Sequence, residues 1–192
     1  MSVRRNPLGS PNPEQAAFLE RAMEQYASAT YSFAYRLAGN ESDAADLTQE
    51  AFLRVYKAWR SFQPGTSFLA WIYRIVTNLY RDELRRRKGR YFEEIPEDNA
   101  PQRFGGQRPL ATTPIDDLVD AELDEPLSRA LAQLSPDQRQ VVLLADIEEY
   151  SYQEIAEIVG CSIGTVRSRL HRARSLLRRL IERARSLPQE NR

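Results

Sequence analysis

The chain has 192 residues, of which 42% are hydrophobic, so it can form one medium domain or two small ones around a buried core. The formal charge is zero, and the single Cys161 and single His171 exclude an internal disulfide and a zinc site. The first residues lack the apolar segment of a signal peptide, and no apolar run approaches a membrane span. We therefore expect a cytoplasmic protein without membrane contact, metal or cofactor.

Apolar residues recur at helical spacing in three segments between residues 12 and 90. The first stripe stops before Gly39, the second carries Leu47 and Val55, and the third begins near Ser67 after the break "SFQPGTS". Glycine suits the end of a helix, and proline with glycine interrupts one. These patterns predict a first helical domain over residues 12–90.

The periodic pattern is lost in a segment that is rich in acidic residues, proline and glycine, and we assign residues 91–116 to a linker. It resumes from about residue 115, with capping boxes at Ser135 and Ser151. We predict a second helical domain over residues 117–187. The fold class is all-α, with two domains joined by a flexible linker.

Charge is segregated along the chain although the total is zero. Residues 165–185 contain one acid, Glu182, and eight arginines: Arg167, Arg169, Arg172, Arg174, Arg178, Arg179, Arg183 and Arg185. The segment 81–90 is also mainly basic, whereas residues 92–125 are mainly acidic. Local charge is therefore informative where the net charge is not.

The segment 151–180 has the pattern of a helix-turn-helix, with Gly160, Cys161 and Ser162 at the turn. A helical wheel places Val166, Leu170 and three further apolar residues on one face of the second helix. The polar side chains on the remaining surface are the candidates for contact with duplex DNA. They are Thr165, Arg167, Ser168, Arg169, His171, Arg172 and Arg174.

Arg172 is the first choice for a bidentate contact to guanine, because it projects from the face opposite the apolar stripe. Arg167, Arg169 and Arg174 lie on the flanks, where phosphates would be met. The basic residues from position 178 onwards either follow the phosphates or are solvated. His171 lacks a neighbouring nucleophile or carboxylate, so no catalytic role is predicted for it.

In the first domain, Asp46, Gln49 and Glu50 occupy positions i, i+3 and i+4 of a helix and form one polar patch. Taken alone, this patch is a solvated helix face. Further along, Phe62 and Trp71 precede a basic run, and aromatic with basic side chains can hold single-stranded nucleic acid. For Trp71 we prefer a place in the core, and Phe62 in the loop is the freer aromatic.

Two stretches of the sequence closely resemble the extracytoplasmic-function (ECF) sigma factors of the bacterial sigma-70 family. They are "DAADLTQEAFLRVYKAWRSFQPGTSFLAWIYRIVTNLYRDELRR" and "LSPDQRQVVLLADIEEYSYQEIAEIVGCSIGTVRSRLHRAR". Together they cover nearly all of both predicted domains, in the order and spacing of the family. The linker and the first dozen residues carry no signature.

The resemblance implies roles for individual residues. Asp46, Gln49 and Glu50 would bind the clamp coiled coil in the largest subunit of core RNA polymerase, and the flap would be a second contact. The single-stranded −10 promoter element would be held by five residues of the first domain: Phe62, Arg74, Asn78, Arg81 and Arg85. The helix-turn-helix would read the double-stranded −35 element, and the acidic linker would pass through the polymerase channel.

The family resemblance also implies control by an anti-sigma factor in an envelope or stress response. Two other classes of protein were weighed. A stand-alone helix-turn-helix regulator would leave the polar patch and the segment 62–88 without a role. A nucleic-acid enzyme needs a carboxylate cluster or an activated nucleophile, and the sequence has neither. The preferred interpretation is a promoter-specificity factor that is not an enzyme.

Overall fold

The computed structural model describes residues 13–87 and 125–186. We call these parts domain 1 and domain 2. Both are helical, and no strand occurs within the two described ranges, in agreement with the all-α prediction. The predicted linker, and the predicted domain ends at residues 12, 88–90, 117–124 and 187, lie outside the described residues. No described helix is both long enough and apolar enough to cross a membrane.

Domain 1 is built from three long helices: α1 (Pro13–Ala38), α2 (Glu41–Ala58) and α3 (Phe68–Arg87). A short 3₁₀ turn over Trp59–Ser61 follows α2. Gly39 adopts φ 82° between the first two helices, a conformation that glycine reaches without steric cost. The side chain of Asn40 then caps α2 by accepting a hydrogen bond from the backbone N–H of Asp43 (2.9 Å).

The core of domain 1 is formed by one buried face from each helix. Phe33 of α1, Val55 of α2 and Ile72 of α3 are fully buried there. The ring of Phe33 stacks on Tyr73, with centroids 4.2 Å apart. Trp71 is 5% exposed, so the sequence-based placement of this residue in the core is confirmed. Burial of these faces orients the opposite, polar faces of α2 and α3 outwards.

Domain 2 contains α4 (Glu125–Ala132), α5 (Pro136–Val142), α6 (Tyr152–Val159) and α7 (Ile163–Ser186). A π-helical turn over Leu143–Ile147 continues α5. The capping boxes predicted at Ser135 and Ser151 are both formed. In each box a serine oxygen accepts from a backbone N–H of the first turn, and a Gln or Glu side chain accepts in return.

The helix-turn-helix consists of α6 and α7. Gly160 ends α6 in the left-handed conformation (φ 70°, ψ 47°), and the N–H of Cys161 donates to the Ala156 carbonyl at 3.0 Å. Ser162 then caps α7, because its Oγ accepts from the N–H of Thr165 at 3.1 Å. The turn predicted from the sequence is therefore present, and it sets the angle at which α7 leaves the domain.

Domains 1 and 2 contact each other directly. Helix α3 packs against α6, and α1 contacts α5 and the π-helical turn. The sequence analysis predicted two domains on a flexible linker and anticipated none of these contacts. They involve Arg81 of the predicted −10 site and Asp137, which also binds Arg169 of the predicted −35 site.

Candidate nucleic-acid and polymerase interfaces

The polar patch on α2 lies on the outside of domain 1. Asp46 and Gln49 are exposed and Glu50 is half-buried, while Leu47 on the other face of the helix is buried. Glu50 forms an ion pair with Arg54 at 3.4 Å, but both side chains are more than 40% exposed. Such a pair contributes little to stability. The patch is therefore free to meet a partner.

Leu53 extends this patch, and the sequence analysis did not single it out. It is 45% exposed and lies three residues after Glu50 and seven after Asp46, on the same side of α2. A single exposed leucine is ordinary on a protein surface, but here it adds an apolar group beside the acidic and amide side chains. The signal in the sequence was its spacing, since positions 46, 49, 50 and 53 share one helix face. We call these four residues the α2 stripe.

A pocket of about 50 Å³ opens between the end of α2 and the middle of α3. It brings together Arg74 and Asn78, two residues of the predicted −10 site. The remaining lining comes from Arg54, Ala58, Ser61, Trp71 and Ile75. By this measure the space holds several water molecules, or one edge of a planar base. Asn78 supplies donors and an acceptor for a base edge, and Arg74 supplies a positive charge. We call this the α3 pocket.

Phe62 does not line the α3 pocket. Its half-buried ring lies in an aromatic cluster, with centroids 5.4 Å from Trp71, 5.5 Å from Phe68 and 5.9 Å from Phe18. Phe62 is more accessible than the buried Phe68 and Trp71, as expected from its place in the loop. Trp71 joins the two features because it belongs to the cluster and also lines the pocket. Stacking of a base on Phe62 stays a prediction.

The other two arginines of the predicted −10 site are engaged within the chain. Arg81 donates to the backbone carbonyl of Val159 at 2.7 Å and lies 3.6 Å from a carboxylate oxygen of Asp137, both in domain 2. Burial lowers the pKa of the Arg81 guanidinium, and the nearby Asp137 opposes that shift. Arg85 pairs with Asp82 at 3.4 Å, where both side chains remain at least 40% exposed. Arg74 has no ion pair with any described residue.

The predicted recognition helix α7 has the expected two faces. Val166, Leu170, Ala173 and Leu177 are buried in domain 2. Four of the seven predicted −35 contacts are exposed without an ion pair to a described residue: Arg167, Ser168, His171 and Arg172. Thr165 is half-buried, and its hydroxyl lies 2.9 Å from that of Ser162. The centre of the helix thus offers its polar side chains to solvent.

Two of the three flanking arginines of α7 are held by acidic residues of domain 2. Arg169 pairs with Asp137, the same carboxylate that Arg81 approaches from domain 1. Arg174 makes a two-point contact with Asp146, and this hydrogen bonding raises the pKa of its guanidinium above the usual range. A phosphate would have to compete with these carboxylates. Arg167 is the flanking arginine that needs no such exchange.

No group of three or more His, Cys, Asp or Glu side chains among the described residues is placed to hold a metal ion. The surfaces found here are an exposed helix stripe, a small pocket beside an aromatic cluster, and an exposed basic helix face. Each of the three offers side chains that can bind a partner.

Comparison with known proteins agrees with this arrangement. The model of sigma-70 region 2 matches residues 22–90, and that of sigma-70 region 4 matches residues 124–177. The ECF RNA polymerase sigma factor SigW of Bacillus subtilis is 34% identical over 168 residues, which cover 86% of this chain and 89% of the relative. The chain belongs to the ECF sigma factors of the sigma-70 family.

A second ECF sigma factor, SigE of Mycolicibacterium smegmatis, is 44% identical over 159 residues. These residues cover 83% of this chain but only 60% of the length of SigE. Among solved structures, the sigma factor RpoE of Bartonella quintana, in complex with the anti-sigma factor NepR, gives a TM-score of 0.63 at 26% identity. That match covers 86% of this chain and 97% of RpoE. The family and fold expected from the sequence are therefore confirmed.

Proposed function

We propose that this ECF sigma factor binds bacterial core RNA polymerase in the cytoplasm, brings it to promoters and helps to melt the DNA. It performs no bond-making step itself. The observation that carries the proposal is the α3 pocket, where Arg74 and Asn78 meet beside Trp71. A protein that only read duplex DNA through α7 would have no use for a pocket of base-binding character in another domain.

The α2 stripe is proposed as the docking surface for polymerase. Asp46 and Gln49 are exposed, Glu50 is half-buried, and Leu53 adds an exposed apolar contact to the polar ones. Negative charge here disfavours DNA, since phosphates would be repelled. It favours a basic protein surface, and we assign that role to the clamp coiled coil of the largest subunit. The flap is proposed as the contact of domain 2.

The α3 pocket is proposed to receive one unstacked base of the −10 element on the single strand. Asn78 would hydrogen-bond to the base edge and Arg74 would meet the adjoining phosphate, with Phe62 close by for stacking. Arg81 and Arg85 would follow the backbone of the strand. Unstacking a base costs a few kcal/mol, so a pocket that stabilises the displaced base favours melting.

Helix α7 is proposed to read the −35 element in the major groove. Arg172 is exposed at the centre of the free face and suits a bidentate contact to guanine, and Ser168 and His171 lie beside it. Arg167 would meet a phosphate directly. The contact surface is completed by Thr165, Arg169 and Arg174. The two arginines would bind a phosphate only after they release their carboxylate partners.

An anti-sigma factor is proposed as the regulator. The support is the similarity to RpoE of Bartonella quintana, whose solved structure contains the anti-sigma factor NepR. We propose that this regulation belongs to an envelope or stress response.

The proposal is tested first at the α2 stripe, by binding of the purified full chain to bacterial core polymerase in size-exclusion chromatography. The double variant Gln49→Ala/Glu50→Ala is expected to weaken binding at least about tenfold, because two contacts near the centre of an interface are removed. The matched control is Glu24→Ala/Gln25→Ala, which makes the same change on the exposed face of α1. Equal binding by the two double variants would contradict the docking assignment.

A further inference from the structure

We infer that domains 1 and 2 form a closed state of the free protein, in which domain 2 covers Arg81 and withholds it from the −10 strand. This inference depends on the proposed role of Arg81 in DNA binding. Its structural part, the closure, depends only on contacts between described residues. In the closed state, the helix-turn-helix of the same chain covers the face of α3 that carries Arg81.

The first contact joins both candidate DNA-binding surfaces through one carboxylate. Arg81 of domain 1 donates to the carbonyl of Val159 at the end of α6, and its side chain is 22% exposed. Asp137 lies 3.6 Å from Arg81 and also binds Arg169 of the recognition helix. In the closed state a carboxylate thus occupies the positions that phosphates would take beside both arginines.

The second contact is made by Glu148, just after the π-helical turn. Its carboxylate accepts from the Tyr73 hydroxyl at 3.0 Å and lies 3.6 Å from Arg36, two residues of domain 1. The side chains of Arg36 and Glu148 are 14% and 18% exposed. Tyr150 adds an edge-on ring contact to Tyr73, with centroids 6.2 Å apart. This contact is more enclosed than the first, so salt should screen it less.

The third contact is a buried arginine. Arg139 of domain 2 donates to the carbonyl of Leu37, at the end of α1, at 2.8 Å. It also donates to the carbonyls of Leu131 and Ala132 at the end of α4, each at 2.9 Å. One guanidinium therefore caps a helix from each domain, and it completes a continuous interface along α1 and α3.

The closed state cannot occupy both promoter elements at once. The −35 and −10 elements are separated by about 25 base pairs, which is about 85 Å of duplex at 3.4 Å per pair. A compact chain of this length has a radius of gyration of only about 16 Å. Since Arg81 and Val159 are in hydrogen-bond contact, domain 2 must leave α3 before the two domains can reach their elements.

The contacts identify residues that hold the closed state without belonging to the proposed DNA surfaces. Asp137 and Glu148 are both in domain 2 and both bind domain 1 through their carboxylates. Asp146 offers the matching control, because it binds Arg174 within domain 2 and no described residue of domain 1. Glu157 of α6 supplies a second carboxylate for a control with the same change in charge.

The test uses the full chain and two measurements on Asp137→Asn/Glu148→Gln. Small-angle X-ray scattering is expected to give a radius of gyration near 16 Å for the wild type and above about 20 Å for the variant. Fluorescence anisotropy with a single-stranded −10 oligonucleotide is expected to give about tenfold tighter binding by the variant. If only the open state binds the strand, that gain corresponds to a closed state populated about nine to one, because apparent affinity scales with the open fraction.

The control variant Asp146→Asn/Glu157→Gln removes the same charge and should keep both wild-type values. A variant as compact as the wild type overturns the closure, and an expanded variant that binds no tighter than the control overturns the withholding of Arg81. If neither the wild type nor any variant binds the strand, the proposed −10 role of Arg81 is wrong, and so is the inference that closure withholds Arg81. The scattering measurement still shows whether the closed state exists. Should the double variant unfold, Tyr73→Phe, which removes one hydroxyl from the interface, takes its place with a smaller expansion expected.

Discussion

Domain 2 presents the centre of its candidate DNA-reading helix to solvent, whereas domain 1 keeps one of its candidate DNA contacts beneath domain 2. Arg172 is exposed and has no ion pair with a described residue. Arg81 is mostly covered and donates to Val159. The difference follows from the packing of α3 against α6, which leaves the outer face of α7 untouched.

This contrast shows that two arginines of the same formal charge can differ in how readily they bind a phosphate or a base. A guanidinium with no carboxylate partner keeps its full field for phosphates, while a paired one must first exchange its partner. Helix α7 contains both cases, since Arg167 is free and Arg174 is paired with Asp146. Charge counted from the sequence alone does not separate them.

The largest effect is expected at the residue that joins the two domains. Arg139→Ala should lower the free energy of unfolding by about 3 kcal/mol, because it leaves several buried carbonyls without a donor. Urea unfolding measures this loss. Arg139→Lys, which keeps a charge and some of the hydrogen bonding, should recover part of it. A wild-type urea midpoint for Arg139→Ala would contradict the structural role assigned to this side chain.

The next effect compares the free and the paired arginine of α7. Arg172→Ala should cost about 1–3 kcal/mol in binding a −35 duplex and should reduce preference over a scrambled duplex. Arg174→Ala should cost less than about 1 kcal/mol, because removal of the arginine also removes the need to displace Asp146. Anisotropy titrations at one salt concentration measure both. Equal losses would show that pairing with Asp146 does not weaken the contact of Arg174 with DNA.

A smaller effect is expected in the α3 pocket. Asn78→Ala should weaken binding of a single-stranded −10 oligonucleotide by about 1–1.5 kcal/mol, because the hydrogen bonds to one base edge are lost. Gln25→Ala, on the exposed face of α1 and outside the pocket, serves as the control and should bind as the wild type does. The same anisotropy titration applies. If the loss at Asn78 matched that at Gln25, the pocket would not be the base-binding site.

The smallest effect concerns pH and the interface between the domains. Burial, with the nearby charge of Glu148, raises the pKa of the Tyr73 hydroxyl well above its ordinary value of 10.0. A raised pKa means that the folded state holds this proton more tightly. The stability that it contributes is therefore complete below pH 10 and is lost as pH rises above it.

Tyr73→Phe should consequently flatten the fall in stability above pH 10, by up to about 1 kcal/mol between pH 10 and 11. Burial also raises the pKa of Tyr26 and of Tyr80, so part of the fall should remain in the variant. Urea unfolding at several pH values measures the slope. An unchanged slope would mean that Tyr73 ionises in the folded state as easily as in the unfolded one.

Much of the local structure could be predicted from the sequence because its causes are local. The capping boxes at Ser135 and Ser151 and the left-handed Gly160 depend on residues within a few positions. The exposed face of α7 could be predicted because apolar residues recur at helical spacing on the opposite face. Family resemblance implied a base pocket at Asn78 near Phe62 and a phosphate contact at Arg74. That Arg74 and not Phe62 lines the pocket with Asn78 was not predicted, although the i and i+4 spacing of Arg74 and Asn78 places them on one face of α3.

The contacts between domains could not be predicted, because they depend on residues far apart in the chain. Arg81 and Val159 are 78 positions apart, and no periodic pattern links them. The π-helical turn over Leu143–Ile147 was also not predicted. Its hydrogen bond from the Glu148 N–H to the Leu143 carbonyl (2.9 Å) shifts the register by one residue, for which the composition gives no signal. Glu148, which this turn precedes, is one of the residues that hold the domains together.

The central claim is that this chain directs core polymerase to promoters, and run-off transcription with purified bacterial core polymerase and a genomic promoter pool tests it most directly. Core polymerase alone should be silent, and addition of the wild-type chain should give discrete start sites. Gln49→Ala/Glu50→Ala should abolish them, and Arg172→Ala should redistribute or weaken them. A chain that binds duplex DNA but never yields a start site with core polymerase would contradict the account and favour a stand-alone regulator.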